Sequence, residues 1–159
     1  MSREQHCLRT KGKGFAMMKR EYPATPLVGV GAVILDQGRV VLVKRKFPPL
    51  AGEWSIPGGR LETGETLREG VIREAREETG LTVEPSELLG VYDRLLRDDA
   101  GSILYHYVLI DFLCRPVAGE LHADGDADDA RWFTTEEMTN ISLVEDTVEV
   151  IRLGFEKAG

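Results

Sequence analysis

The sequence predicts an α/β sandwich, and three patterns predict it. Short apolar runs rich in branched and aromatic residues recur along the chain and read as strands. A capped, charge-rich helical segment divides the early strands from the later ones. A second, amphipathic helical segment closes the chain. At 159 residues, the length suits one domain with a real core.

Residues 1 to 22 lack periodicity and carry Arg3, Arg9, Lys11, Lys13, Lys19 and Arg20. A basic arm could bind a partner, but the expectation is a poorly ordered terminus, with Met17 and Met18 offering a later start. Residues 23–159 are expected to form the single domain. Val28 to Leu35 reads as a buried strand, Asp36-Gln37-Gly38-Arg39 as a turn, and Val40 to Val43 as its paired strand. Lys44, Arg45 and Lys46 follow, cations at a strand end that suit substrate phosphates or solvent equally. Residues 47 to 53, with Pro48-Pro49, form a loop. Trp54 to Ile56 is a short strand and Pro57-Gly58-Gly59 a turn.

The first helix lies between Thr66, which with Glu69 forms a capping box, and Gly80, placed for a left-handed C-terminal residue. Leu67, Val71 and Ala75 give it an apolar stripe. Beyond it, Pro85-Ser86 punctuates, and Leu88 to Leu95 is a strand. A turn at residues 97–101 leads into a long alternating strand, Ile103 to Cys114, ended by Pro116. Its Tyr105, His106 and Tyr107 could line a pocket, although a strand histidine more often has an ordinary hydrogen-bond partner. Ala130 to Thr134 is a strand carrying Trp132. Ser142 and Glu145 form a further capping box, and Val144, Val148, Ile151 and Phe155 mark the C-terminal helix.

Composition narrows the function. Hydrophobic content of 42% and charged content of 30% are globular values. A net charge of −7 repels phosphate backbones, so long nucleic acid is a poor partner. The same charge would repel a small phosphate substrate unless a cation mediated. The two cysteines, Cys7 and Cys114, have neither metal-ligand nor disulfide spacing. No apolar run is long enough to span a bilayer, and no signal-peptide pattern opens the chain. The expected setting is soluble, reducing and cytoplasmic. Gly29 and Gly31 begin a dinucleotide fingerprint, but Ile34 stands at its third glycine. Asp124, Asp126, Asp128 and Asp129 fail as a calcium loop, with Asp129 and Thr135 at the positions of glycine and glutamate.

The stretch Gly59 to Leu81 carries the chemistry. Glu65, Glu74, Glu77 and Glu78 crowd together with Arg73 and Arg76. Like charges three and four apart on a helix repel by a few tenths of a kcal/mol per pair, roughly. A hard divalent cation reverses that sign, because Mg²⁺ binds through a few carboxylates plus substrate phosphates. Arg73, four residues before Glu77, can hold that carboxylate. Taken alone, the cluster reads equally well as a solvated acidic face.

Counted from Gly59, the spacing is G-x5-E-x7-R-E-A-x-E-E-x-G-L. This resembles the signature of the Nudix hydrolases position for position, with Ala75 where an aliphatic residue is usual. The signature covers residues 59–81, and a looser similarity, including Trp54-Ser55-Ile56-Pro57-Gly58, runs over about residues 27–140. The resemblance implies an α/β/α sandwich with a mixed, partly barrel-like sheet, a loop-helix-loop signature and an amphipathic C-terminal helix. It implies hydrolysis of a nucleoside diphosphate linked to another group, with Mg²⁺, or alternatively Mn²⁺, as cofactor.

By signature position Glu77 and Glu78 are metal ligands, joined by the Gly58 carbonyl. Glu74 is a further ligand or the general base. Arg73 orients the glutamates, and Glu65 anchors the signature loop. Gly59 and Gly80 serve the backbone. Asp126, six residues before Trp132, stands where many members carry a late-loop acid, so it is a second candidate base; these aspartates read equally as a solvated loop. Arg45 and Tyr105 are the candidate substrate contacts. The whole chain is most similar to small prokaryotic members acting on ADP-ribose, split into AMP and ribose 5-phosphate. Nucleoside triphosphates, including oxidised dGTP, are the alternative, and a catalytically idle nucleotide-binding domain is a third reading. Members of the family often form homodimers.

Overall fold

The computed structural model describes residues 20–159, so the basic run over residues 1–19 lies outside the described residues. The strands are β1 (Leu27–Asp36), β2 (Arg39–Arg45), β3 (Trp54–Ser55), β4 (Gly58–Arg60), β5 (Thr82–Arg97), β6 (Ile103–Ala118) and β7 (Ala127–Phe133). The helices are α1 (Leu67–Thr79), α2 (Thr135–Met138) and α3 (Glu145–Ala158).

β1 is the spine of a seven-stranded mixed sheet. It turns into antiparallel β2 through Gln37 and Gly38, whose φ values of 49° and 72° are both positive. That mirror-image turn has the twist a two-residue hairpin needs. On its other edge β1 runs parallel to β6, from Leu27↔Tyr107 to Ile34↔Cys114, and β6 pairs antiparallel with β5. The hairpin edge of β1 is shared: β4 pairs with Gly29 to Gly31, and β2 with Leu35 and Asp36. The sheet forks there, with β3 and β7 flanking β2.

Alternation along β1 separates two cores. Val30, Ala32 and Ile34 join Val71 and Ala75 of α1. Val33 joins Val150 and Ile151 of α3 on the opposite face. The sheet is thus sandwiched between α1 and α3, as the strand and helix patterns imply. Val33, Ile34, Val71, Val150 and Ile151 are almost wholly buried, and each such side chain contributes about 1.5–3 kcal/mol through removal from water.

Several local expectations are corrected. Pro57-Gly58-Gly59 is not simply a turn, because Gly58 and Gly59 pair with Gly31 and Val30 as β4. Pro85-Ser86 does not precede a new strand; β5 passes through it with a register shift between Pro85 and Leu88. β5 is an edge strand, where a missing N–H is tolerated. Pro116 does not end β6, which continues to Ala118. Pairing with β1 stops at Cys114, so beyond it β6 has one neighbour and proline is accommodated.

Ser142 does not cap α3. Its hydroxyl donates to the Glu53 carboxylate, and Val144 is the N-cap without a side-chain bond. The buried stripe of α3 is Thr147, Val150, Ile151 and Gly154, while Val148 is exposed. The short α2 was not anticipated, although Thr134 and Glu137 form its capping box. Within the segment expected to be poorly ordered, Tyr22 is held by its N–H to the Leu104 carbonyl and its hydroxyl to Asp98.

Candidate active site

The helix α1 is cut to length by its own ends. Thr66 Oγ1 accepts from the Glu69 N–H, and Glu69 accepts from the Thr66 N–H at 2.7 Å. At the other end Gly80 has φ +71°, and its N–H reaches the Arg76 carbonyl at 2.9 Å. This left-handed turn brings the following chain back against the helix. His122 N–H donates to the Thr79 carbonyl and Asp124 N–H to that of Glu78. The Lys46 N–H donates to the Asp126 carbonyl at 3.1 Å. The loop before β7 is therefore fastened between α1 and the end of β2, which sets Asp126 beside the helix glutamates.

Arg73 organises those glutamates. Its Nε donates to Glu65 Oε1 at 2.6 Å and its Nη2 to Glu65 Oε2 and the Arg60 carbonyl, both at 3.0 Å. Its Nη1 reaches Glu74 at 2.7 Å and Glu77 at 3.2 Å. A rigid guanidinium fork suits such multiple acceptance. The bond from Arg73 holds Glu65 below the usual carboxylate range. Glu65 also accepts the Glu62 N–H at 3.1 Å, which ties the preceding loop to α1.

Glu74 and Glu78 are in a different electrostatic state. Burial raises Glu74, opposed by Arg73 and reinforced by Glu77 and Asp126. Burial pushes Glu78 up to about 8, opposed by the Gly58 N–H and reinforced by Glu74 and Asp126. The Glu78 carboxylate accepts from Gly58 N–H at 3.0 Å. Arg73 beside Glu74 and Arg45 near Glu78 offset burial and mutual repulsion only in part, and a bound cation would offset the rest.

The expected ligand set is not closed. Among the described residues, no three His, Cys, Asp or Glu side chains converge closely enough to hold one ion. Glu74 and Glu77 turn to Arg73, Glu78 turns to Gly58, and Gly58 presents its N–H to Glu78. The donors are nonetheless all hard oxygens. They fit Mg²⁺, which keeps several waters and takes one or two carboxylates together with substrate phosphates.

Glu74, Glu77, Glu78 and Asp126 line one groove of about 330 Å³ with Gly58 and Gly59. Arg45 lines it as well, with Nε donating to the Pro49 carbonyl at 2.8 Å. Burial lowers Arg45, and the nearby cation Arg94 lowers it further. Tyr105 is not among the groove residues. Its hydroxyl donates to Glu21 at 2.9 Å, beneath the segment before β1. Tyr107, on the same face and stacked at 6.4 Å, lines the groove instead. Sequence reasoning missed Arg94, Asp111 and Asp146, all groove residues. Alternation from Tyr107 through Leu109 to Asp111 was the available signal for one of them.

No helix among the described residues is long and apolar enough to cross a membrane. The family model described as NUDIX domain matches residues 25–153. An ADP-ribose pyrophosphatase of Methanocaldococcus jannaschii is 38% identical over 118 residues, covering 74% of this chain and 68% of that protein. An 8-oxo-dGDP phosphatase of Mus musculus is 32% identical over 123 residues, which cover 75% of this chain and only 35% of that protein. The crystal structure of a MutT NUDIX hydrolase from Burkholderia pseudomallei superposes with a TM-score of 0.71 at 31% identity, covering 81% of this chain and 98% of the other.

Proposed function

The chain belongs to the Nudix family of pyrophosphohydrolases, and on that premise we propose that it hydrolyses ADP-ribose to AMP and ribose 5-phosphate with a divalent cation. The observation that carries the reading is the meeting of Glu74, Glu78 and Asp126 with Arg45 in one groove. A bound Mg²⁺ or Mn²⁺ would neutralise charge spreading over the phosphate oxygens.

The chain's own residues do the rest. Arg45 binds diphosphate oxygens across the groove from the α1 glutamates. Arg73 holds Glu74 and Glu77 in place without touching substrate. Glu74 or Asp126 takes a proton from the attacking water onto a carboxylate oxygen. The water oxygen bonds to one phosphorus, and the bridging oxygen leaves with the other phosphate. One water is consumed, and two phosphate monoesters result.

The relative named ADP-ribose pyrophosphatase supports this substrate. The relative named 8-oxo-dGDP phosphatase supports a second reading, an oxidised purine nucleotide, including oxidised dGTP. An idle binding domain is disfavoured, because it has no need of the complete glutamate set. A substrate panel with Mg²⁺ tests the proposal. Phosphate released by alkaline phosphatase reports ADP-ribose cleavage, and pyrophosphatase reports triphosphate cleavage. ADP-ribose turnover well above that of triphosphates is expected. Strong turnover of oxidised guanine nucleotides alone would move the assignment to the second reading.

A further inference from the structure

One rung of the sheet contains a single side chain. Gly90 of β5 pairs with Asp111 of β6, Asp111 with Gly31 of β1, and Gly31 with Gly58 of β4. Asp111 leans into the space that Gly31 leaves, while Tyr92 covers Gly90. A Cβ at Gly31 would collide with the Asp111 carboxylate. The glycine pair Gly29 and Gly31, which fails as a dinucleotide fingerprint, thus clears the groove floor beneath Leu109 and Asp111.

Asp111 is only 6% exposed, yet it lines the groove. Among the described residues its carboxylate has no hydrogen-bond partner. Burial raises it to about 6; Arg94 opposes and Asp146 reinforces the shift. The Asp111 oxygens are not sealed from solvent, since no buried side-chain oxygen among the described residues lacks a partner, so they open onto the groove and can accept from a ligand there. Strand spacing puts the Asp111 backbone roughly 10 Å from Gly58, whose N–H holds Glu78. A nucleoside whose 5′-phosphate sits at the glutamates spans that interval to the far edge of its base. Tyr107 and Leu109, on the same face of β6, offer flat and apolar contact to a base along the way.

We infer that Asp111 is the base-reading residue of the groove, accepting a hydrogen bond from the exocyclic amino group of adenine. This assignment rests on the nucleotide reading above and names the feature of the substrate that the site selects.

The test compares ADP-ribose with its hypoxanthine counterpart, which carries a carbonyl where adenine carries the amino group. Wild type should prefer ADP-ribose in kcat/KM by about 10- to 100-fold, the effect of one hydrogen bond to a charged group. Asp111→Leu should bring the ratio to near one. Asp111→Asn, whose amide can also donate, should bring it to near one or invert it. An unchanged ratio in both folded variants overturns the assignment.

Binding of AMP and IMP, measured by calorimetry, needs no turnover and separates the two claims. Tighter AMP binding that is lost in Asp111→Leu supports the assignment even if ADP-ribose is not hydrolysed, an outcome that would sink only the proposed reaction. Equal binding of AMP and IMP by wild type overturns the assignment whatever the turnover.

Discussion

The Glu78 carboxylate accepts the Gly58 N–H at 3.0 Å, which joins the last turn of α1 to the short strand β4. The bond favours the charged form, yet burial still pushes Glu78 up to about 8. The folded chain therefore binds more protons than the unfolded chain between the ordinary carboxyl range and about 8. Stability should fall as pH rises through that window. Without divalent cation, the melting temperature at about pH 9 should lie below that at about pH 6. Glu78→Gln should flatten the slope, and Mg²⁺ should raise the wild-type melting temperature more at the higher pH. A slope of the opposite sign would mean that Glu78 is already compensated in the fold.

Arg73 contacts Glu65, Glu74 and Glu77, but unequally. The Glu65 side chain is 14% exposed and that of Glu77 is 56% exposed. Glu77→Gln should therefore change apo stability by no more than about 0.5 kcal/mol while removing nearly all activity. Arg73→Ala should cost about 2 kcal/mol or more, because it leaves Glu65 and Glu74 without their shared partner. Urea titrations without metal measure both. A strongly destabilised Glu77→Gln would mark Glu77 as structural.

Gly80 is left-handed, and a side chain there would also collide with the His122 ring. Gly80→Val should cost at least about 1–2 kcal/mol. Adding His122→Ala should recover only part of the cost, because the Glu120 carbonyl also stands within 2.7 Å of a Cβ there and the left-handed backbone remains. Full wild-type stability in Gly80→Val, read from the denaturation midpoint, would contradict this account.

Asp126 and Asp128 are both exposed, but Asp126 lines the groove with the glutamates and Asp128 does not. If Asp126 is the base, Asp126→Asn should lower kcat by about 10²- to 10⁴-fold and weaken Mg²⁺ binding far less. Asp128→Asn should leave both nearly unchanged. Near-wild-type turnover in Asp126→Asn would return the base role to Glu74.

Local patterns in the sequence were legible where a few neighbouring residues decide the outcome. Thr66, Glu69 and Gly80 set the limits of α1 by short-range bonds, and Arg73 meets Glu77 by helical spacing. Proline was misread at Pro85 and Pro116 because its effect depends on whether a strand has a second neighbour. Ser142 was misread because a distant partner, Glu53, took its hydroxyl. The opposite wall of the groove was illegible for the same reason. Asp111 stands across from Gly31 only through the pairing of β1 with β6, strands far apart in the chain, and Arg94 stands across from Tyr107 in the β5–β6 hairpin only after a register shift between Leu96 and Arg97. Local spacing does not encode that register.

Hydrolysis of ADP-ribose in ¹⁸O-labelled water, followed by mass analysis of the products, decides whether these glutamates support cation-dependent cleavage of a pyrophosphate. AMP and ribose 5-phosphate should appear in equal amounts, with one ¹⁸O in one of the two. No product should form in the presence of a chelator or from Glu78→Gln. Full-rate hydrolysis by either would contradict a cation-dependent reaction at these glutamates, and so would a folded wild type with Mg²⁺ and Mn²⁺ that cleaves neither ADP-ribose nor any nucleoside triphosphate.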